Sequence, residues 1–396
     1  MPVQRPHRPA KPHTAGPPPE CSSEKGAPLK KTPAFLALAL LIAAAGCSHG
    51  ADHSTPPSDG VITDSTGNPS TGGTTGGSTG GGSTGGGGAA LATTPPADGT
   101  TPWAPDPADA TFVNVRSLGA VGDGSTDDTA AFRAAAATGK QIFVPEPPVA
   151  YVLTGFVGLR SSIYGDGSMP LIRMVGSDGD PDQGHQRNML YVSGYRGAGL
   201  VIQGLHLDGG WTGGTNGEWS HNVNVGNSSN VTIQHNTLER PYGDNVFVGE
   251  FGGTPSANVV IQYNDLLNPR RCNAGINSLD GGALRGNRIL KLTSDYVSAI
   301  DLEPDPLGFQ FVRNVSIDAN AVDVMPLSYG AGAFSLNNPN GNAAATASGN
   351  ISVTNNHGTW TNAFSYMDIV PGSNGILSVV PHLTWYGLSA SNNVHD

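Results

Sequence analysis

Acidic side chains alternate with other residues in segment 299–305, at Asp301, Glu303 and Asp305. In an extended segment Asp301 and Glu303 share one face, with Cα atoms about 6.6 Å apart. One carboxyl group of such a pair can protonate a glycosidic oxygen while the other activates water, as in an inverting glycosidase. The three acids could equally bind calcium, or they could simply solvate an exposed strand.

Further polar side chains precede this cluster. Asp244 and Asn245 are adjacent, Asn277 follows, and Arg270 and Arg271 form a pair between them. Asp244 is a candidate to assist the acid/base pair, and Asn245 and Asn277 are candidates to bind substrate. Two arginines can clamp a uronate carboxylate or a phosphate in bidentate fashion. Alternatively, they neutralise the neighbouring acids.

His221 lies close to Trp219 in the sequence. Together they could supply a base and a ring on which a sugar stacks. A lone histidine is, however, more often an ordinary structural residue.

A repeated pattern shows which elements must position these residues. The pattern N-V-x-I-x-x-N occurs at residues 230–236, 258–264 and 314–320, and looser copies occur elsewhere. Each copy is a short alternating strand that cannot bury its apolar face alone, so the copies are expected to stack as a solenoid. In register, the last asparagine of each copy forms a structural ladder, made of Asn236, Asn264, Asn287, Asn320 and Asn356.

A second strand precedes each copy, and its outward positions carry most of the candidates. Inward Val223, Val246, Ile276, Ile300 and Phe334 leave a polar face. The predicted strands are residues 222–225, 245–248, 275–278, 299–303, 333–336 and 364–367. The side chains expected on the outer face are Asn222, Asn224, Asn245, Phe247, Asn277, Asp301, Glu303, Ser335 and Asn337.

Residues 112–151 predict how the solenoid begins. A strand leads into the turn GAVGDG at 119–124, the cluster STDD at 125–128 opens an alanine-rich helix, and another strand follows. The segment resembles the opening of the pectate-lyase-like superfamily, in particular its rhamnogalacturonase/epimerase-type members, which carry GA-x-GDG-x-TDDT-x-A. The resemblance implies an all-β, right-handed parallel β-helix with an N-terminal capping α-helix. It also implies a substrate groove on the outer face of one sheet. The superfamily includes lyases, hydrolases, epimerases and phage adhesins, so the activity stays open.

Three segments of the predicted groove also resemble a set seen in bacterial β-helix proteins, which reads approximately GDGIYI, RRxGI and GIDIEP. Here they are YGDNVFV at 242–248, RRCNAGI at 270–276 and AIDLEP at 299–304. Asn245 and Ala299 stand where the set has glycine. Neither difference removes a charged group.

The first hundred residues predict export. Residues 1–46 read as a signal peptide with a basic, proline-rich extension, and the small residues before Cys47 resemble a lipobox. Residues 47–107 form a Gly/Ser/Thr/Pro tether that is expected to be disordered. Residues 108–396 form the β-helix domain. These features predict a lipoprotein with a lipidated Cys47, at the outer membrane, the cell surface or the periplasmic face.

Composition limits the partners. Residues 106–396 contain 25 Asp and Glu against 14 Lys and Arg, which argues against nucleic acid as a ligand. With Cys47 lipidated and Cys21 in the signal region, Cys272 has no partner for an intrachain disulfide. No cofactor is firmly predicted, although calcium or the arginine pair would be needed to neutralise the charge of an acidic sugar.

Two classes of function fit the sequence. The first is a membrane-anchored enzyme that cleaves a polysaccharide, either by hydrolysis with Asp301, Glu303 and Asp244 or by elimination with calcium or the arginine pair beside a base. The second is a non-catalytic glycan-binding or adhesin-like surface protein.

Overall fold

The computed structural model describes residues 105–106, 108–176, 188–213, 218–249, 254–292, 297–304, 310–325, 333–337, 348–360, 367–380 and 385–396. The predicted signal peptide, Cys47 and most of the tether lie outside these residues, and so does Asp305. Within the described residues, no helix has the length and apolar character needed to span a membrane.

Three long sheets of stacked strands form a right-handed parallel β-helix, with strands numbered here in chain order. Sheet A contains β1 (Phe112–Asn114), β3 (Gln141–Val144), β6 (Ile163–Gly165), β9 (Leu200–Gln203), β12 (Ser229–Gln234), β15 (Ser256–Gln262), β18 (Leu279–Arg285), β21 (Val312–Asp318), β24 (Gly349–Thr354) and β28 (Ser389–Ser391). Sheet B contains β2 (Asp123–Asp127), β4 (Ala150–Leu153), β7 (Leu171–Met174), β10 (His206–Asp208), β13 (Thr237–Glu239), β16 (Asp265–Leu267), β19 (Arg288–Lys291), β22 (Ala321–Val324), β25 (His357–Thr359) and β29 (Val394–His395). Sheet C contains β5 (Val157–Gly158), β8 (Leu190–Ser193), β11 (Val223–Gly226), β14 (Val246–Val248), β17 (Ala274–Ile276), β20 (Ile300–Leu302), β23 (Phe334–Leu336), β27 (Leu377–Val379) and β26 (Asp368–Ile369).

The capping helix is present, but it begins later than the sequence indicated. Residues Asp123–Asp127 form strand β2, and helix α1 spans Thr129–Ala137 after a 3₁₀ turn at Val115–Leu118. The Asp128 carboxylate does not cap the helix. It accepts main-chain N–H groups of Val121 at 2.6 Å, Gly122 at 3.2 Å and Val152 at 3.2 Å. It therefore joins the glycine-rich turn to the second coil.

The predicted asparagine ladder is present at the corner between sheets A and B. The side-chain amide of Asn236 donates to Asn264 Oδ1 at 3.0 Å, and the contact repeats from Asn264 to Asn287 at 3.1 Å. The ladder continues at 2.9 Å per step through Asn320, Asn356 and Asn393. Because each rung ties one coil to the next, the ladder holds the strands in register.

Sheet C carries the predicted polar face, with one correction to its edge. Asn245 is fully buried at the corner that precedes β14, and its amide donates to Asn273 Oδ1 at 2.9 Å. Asn222 in turn donates to Asn245 Oδ1 at 2.9 Å. These residues lie before the strands rather than in them, so period-two alternation does not apply, and they form a second internal ladder instead of facing outward.

The end of sheet C also differs from the expectation. The strand predicted at residues 364–367 falls mostly outside the described residues. The position beside β23 is taken by β27 (Leu377–Val379), which also pairs with β26 in antiparallel orientation.

Candidate functional site

The outward positions of sheet C bring the main candidates into one row. Phe247 of β14 pairs with Gly275 of β17, and Gly275 pairs with Asp301 of β20. Two residues further along the strands, the main chains of Asn277 and Glu303 follow in the same parallel register. The Glu303 N–H donates to the Ile276 carbonyl at 2.9 Å. Gly275 therefore separates the aromatic and acidic side chains, and the missing side chain leaves a recess between them.

Asp301 is fixed on one side by the next coil. The Ser335 hydroxyl and the Asn337 side-chain amide both donate to its Oδ1, each at 2.7 Å. Asp301 is 3% exposed and lines the recess. Since both bonds go to Oδ1, Oδ2 is the oxygen left for chemistry.

The environment of Asp301 favours its protonated form. Burial raises its pKa from 3.8 to about 6, and the nearby Asp244 charge acts in the same direction. The hydrogen bonds from Ser335 and Asn337 and the charge of Arg271 oppose this shift. A carboxyl group with such a pKa can hold a proton near neutral pH and give it to a leaving group.

Asp244 lies over Gly275 from the corner before β14. Its Oδ1 accepts the Cys272 N–H at 2.8 Å, and its Oδ2 would be 2.8 Å from a Cβ atom on residue 275. Burial raises the pKa of Asp244, while the charges of Arg271 and Lys291 act to lower it. Asp244 and Asp301 therefore both border the space above Gly275.

Arg271 is the cation of this recess. It is 5% exposed and its Nη1 donates to Glu218 Oε2 at 3.1 Å. Lys291, fully buried at the end of β19, donates through Nζ to the Arg271 carbonyl. Arg270 is also buried, and its N–H donates to the Pro241 carbonyl at 3.1 Å, but it is not among the residues that line the recess.

Lys291 and Glu218 did not emerge from the sequence as site residues. Lys291 occupies an inward position that pairs with Val324 on the next coil. A charged residue at an apolar position of the repeat was the available signal. Glu218 lies in a connection with no repeat pattern, so only the fold could bring it to Arg271.

Aromatic rings close the other side of the recess. The His221 ring stacks on Phe247 with centroids 4.6 Å apart and an interplanar angle of 6°. Trp219 meets Phe247 edge-on at 6.3 Å. The Asp244 N–H donates to His221 Nδ1 at 3.0 Å, so His221 positions Asp244. Because the lone pair of Nδ1 accepts this hydrogen bond, Nδ1 is not available as a base. The His221 ring instead lines the recess.

The recess is narrow. Its enclosed volume is about 10 Å³, and its wall includes Asp244, Gly275, Asn277, Asp301 and Glu303. A volume of this size is about that needed to hold one water molecule among polar groups. Carboxyl groups on two coils thus surround a space suited to a single water or a substrate hydroxyl.

The remaining candidates stand as follows. Asn245 belongs to the internal ladder, so its amide is directed into the coil corner. Among the described residues, no three His, Cys, Asp or Glu side chains converge in a way that could hold a metal ion. Asp305 is outside the described residues, so its role and that of calcium stay predictions.

Comparison with known proteins identifies similar folds at low sequence identity. The N-terminal fragment of gene product 12 of bacteriophage Phi29 shows 20% identity over 62% of this chain and 47% of that chain, with a TM-score of 0.45. A glycosyl hydrolase described as putative from Parabacteroides merdae shows 13% identity over 62% of this chain and 94% of that chain, with a TM-score of 0.39. Tailspike gp49 of Acinetobacter baumannii phage Fri1, a capsular polysaccharide depolymerase, shows 14% identity over 72% of this chain and 57% of that chain, with a TM-score of 0.44.

This chain spans about half the length of two of these phage proteins, at 47% and 57% of each. No protein-family model matches the chain, and no curated protein sequence matches it. At these identities the similarity concerns the fold, and function has to be argued from the site.

Proposed function

We propose that this protein is a carbohydrate-active enzyme that cleaves glycosidic bonds of a polysaccharide by hydrolysis on the outer face of sheet C. One observation carries the proposal. Asp301, buried and held at Oδ1, has a pKa of about 6 and borders the same recess as Asp244 and Glu303. A carboxyl group whose pKa is raised toward neutrality, beside other carboxyl groups, is the arrangement that glycoside hydrolysis uses.

The residues take the following roles. Asp301 donates its proton to the leaving glycosidic oxygen, and Glu303 takes a proton from the attacking water. Both side chains line the recess, whose volume of about 10 Å³ is about that needed for one water molecule. Asp244 assists in positioning the water from two coils away, on the far side of Gly275. Arg271 offsets the negative charge of the recess and attracts electronegative groups of the substrate.

The proposal also covers the superfamily of the protein and its location in the cell. The opening segment supports membership of the pectate-lyase-like superfamily. The N-terminal sequence supports export, lipidation of Cys47 and attachment to a membrane through a tether, with a polysaccharide outside the cytoplasm as substrate. Metabolic labelling with an alkyne fatty acid tests the anchor. Labelled wild type beside an unlabelled Cys47→Ala variant supports it, and an unlabelled wild-type protein contradicts it.

A screen with two readouts tests the activity. The full chain is incubated with neutral and uronate polysaccharides, and both reducing ends and the absorbance of unsaturated products are recorded. Hydrolysis predicts reducing ends without unsaturated products, whereas elimination predicts both. Asp301→Asn is expected to lower the rate by at least about 100-fold, while the surface control Asp265→Asn keeps it. A full rate in Asp301→Asn rejects the acid assignment.

Non-catalytic glycan binding is the second candidate function. An aromatic pair near the end of sheet C, the exposed Phe156 with the half-buried Tyr191, favours it. Aromatic rings spread along a groove suit binding without a focused reaction centre. Retention of a polysaccharide by the chain without any new reducing ends or unsaturated products is the result that supports this candidate over the enzyme.

A further inference from the structure

The outward row of sheet C continues beyond the recess toward the capped end. Asp301 pairs with Gly275, Gly275 with Phe247, Phe247 with Asn224, and Asn224 with Tyr191. With strands about 4.8 Å apart, Asn224 lies about 14 Å from Asp301 and Tyr191 about 19 Å. The face therefore offers further positions in line with the recess.

Asn224 is the unusual member of this row. It is 6% exposed, while its neighbours Val223 and Val225 point inward and are fully buried. No described residue hydrogen-bonds to its side-chain amide, in contrast to Asn222 and Asn245 of the adjoining ladder. Its amide atoms are not among the fully enclosed polar atoms that lack a partner, so the outward amide reaches solvent and can hydrogen-bond a ligand.

Aromatic rings lie at the distal end of the row. Tyr191 is half-buried on the coil before Asn224, and the ring of Phe156 meets it edge-on with centroids 6.2 Å apart. Phe156 is 43% exposed. Arg133 of helix α1 packs on the Phe156 ring, with its guanidinium carbon 5.1 Å from the ring centroid. The Arg133 Nε also donates to the Phe156 carbonyl at 2.8 Å. An exposed ring that is held this way keeps its orientation without a ligand.

We propose that Asn224 and Tyr191 form a second glycosyl-binding subsite, in which a pyranose ring stacks its C–H face on Tyr191 and a hydroxyl group bonds to the Asn224 amide. Sites of this kind combine aromatic surface with a few placed polar groups. The substrate class follows from the spacing. The enzyme takes an oligosaccharide or polysaccharide long enough to cover the row from Asp301 to Tyr191. This inference rests on the proposed function, since it uses the same face and the same substrate.

Binding measurements on a cleavage-impaired background test the subsite. The full chain with Asp301→Asn is applied to an array of neutral and uronate oligosaccharides, from disaccharides to octasaccharides. The subsite predicts that affinity rises with length. Adding Asn224→Ala weakens binding of the octasaccharides by roughly 3- to 10-fold, the value of one hydrogen bond, and Tyr191→Ala also weakens it. Thr232→Ala, an outward position of sheet A on the same coil, leaves binding unchanged.

A stability readout separates binding from a structural role. Because no described residue bonds to the Asn224 amide, Asn224→Ala is expected to leave the thermal midpoint unchanged or raise it. A lowered midpoint with unchanged affinity overturns the subsite, and so does binding that is independent of length or absent for every oligosaccharide.

Different results would reject the subsite and the proposed hydrolase function. A chain that binds through Asn224 but never releases reducing ends retains the subsite and loses the hydrolase. A chain that releases reducing ends at a rate insensitive to Asn224→Ala for every length retains the hydrolase and loses the subsite.

Discussion

Replacing Asp301 with asparagine is expected to stabilise the protein at high pH while removing the proposed hydrolysis. The folded state holds a proton on Asp301 up to about pH 6, whereas the unfolded state releases it near 3.8. Between these values the folded state binds more protons, so stability falls as the pH rises through this window. Above the window, the folded state carries the full cost of an ionised, buried carboxylate.

The magnitude follows from the two pKa values. They differ by about two pH units, and each unit corresponds to about 1.4 kcal/mol, so ionisation costs the folded state about 3 kcal/mol above pH 6. Asparagine preserves the oxygen that accepts from Ser335 and Asn337 at 2.7 Å, and it carries no charge. We therefore expect Asp301→Asn to raise the free energy of unfolding by about 3 kcal/mol at pH 8 and by little at pH 4.

Urea titration followed by circular dichroism, at pH 4 and pH 8, measures this difference on the full chain. Asp265→Asn, a half-exposed carboxylate on sheet B, serves as the control and is expected to change stability by less than about 1 kcal/mol at either pH. Equal stability differences at pH 4 and pH 8, or a variant less stable than wild type at pH 8, refute the protonated Asp301 on which the mechanism depends.

Three further substitutions test the surroundings of the site. Gly275→Ala puts a Cβ atom 2.8 Å from Asp244 Oδ2. We expect the rate of hydrolysis to fall at least 10-fold and the free energy of unfolding to fall by about 1–3 kcal/mol. The control Gly158→Ala, in the same sheet with no atom within 4 Å of the added Cβ, should change neither quantity. Lys291→Met removes a charge that lowers the pKa of Asp244, so the pKa of the Asp244 carboxyl group should rise further. An unchanged Asp244 pKa in an NMR titration of the variant contradicts the coupling. Asn264→Ala interrupts the ladder and leaves the buried polar groups of its neighbours without hydrogen bonds. The free energy of unfolding, measured by urea titration, should fall by about 3 kcal/mol. A decrease below about 1 kcal/mol contradicts the role of the ladder.

Much of the fold followed from local sequence patterns. Alternating apolar residues with a repeated terminal asparagine predicted stacked strands, because each coil can bury its face only against its neighbours. The ladder from Asn236 to Asn356 was predicted residue by residue and is present. The helix was predicted too, although Asp123–Asp127 joined sheet B, where pairing with β4 outweighs local helix signals.

The row of the candidate site was only partly predictable. Alternation along β20 was enough to place Asp301 and Glu303 together, because neighbours at i and i+2 share a face whatever the rest of the chain does. Asn245 was assigned to that face by the same rule. Its actual place at a corner depends on where the strand begins, which a two-residue period does not specify.

The sequence by itself determined the strand repeat, the capped start of the solenoid and the acidic residues that share a strand face, since these depend on neighbours in the chain. Tertiary structure alone decided that Asp244 and Arg271 meet Asp301 across Gly275, and that Lys291 lies buried behind them. It also decided that Asn224, which alternation had already predicted to face outward, lies between Tyr191 and Phe247. These groups come from different coils, and their approach depends on how far each connection advances the chain before the next strand pairs, which no local pattern encodes.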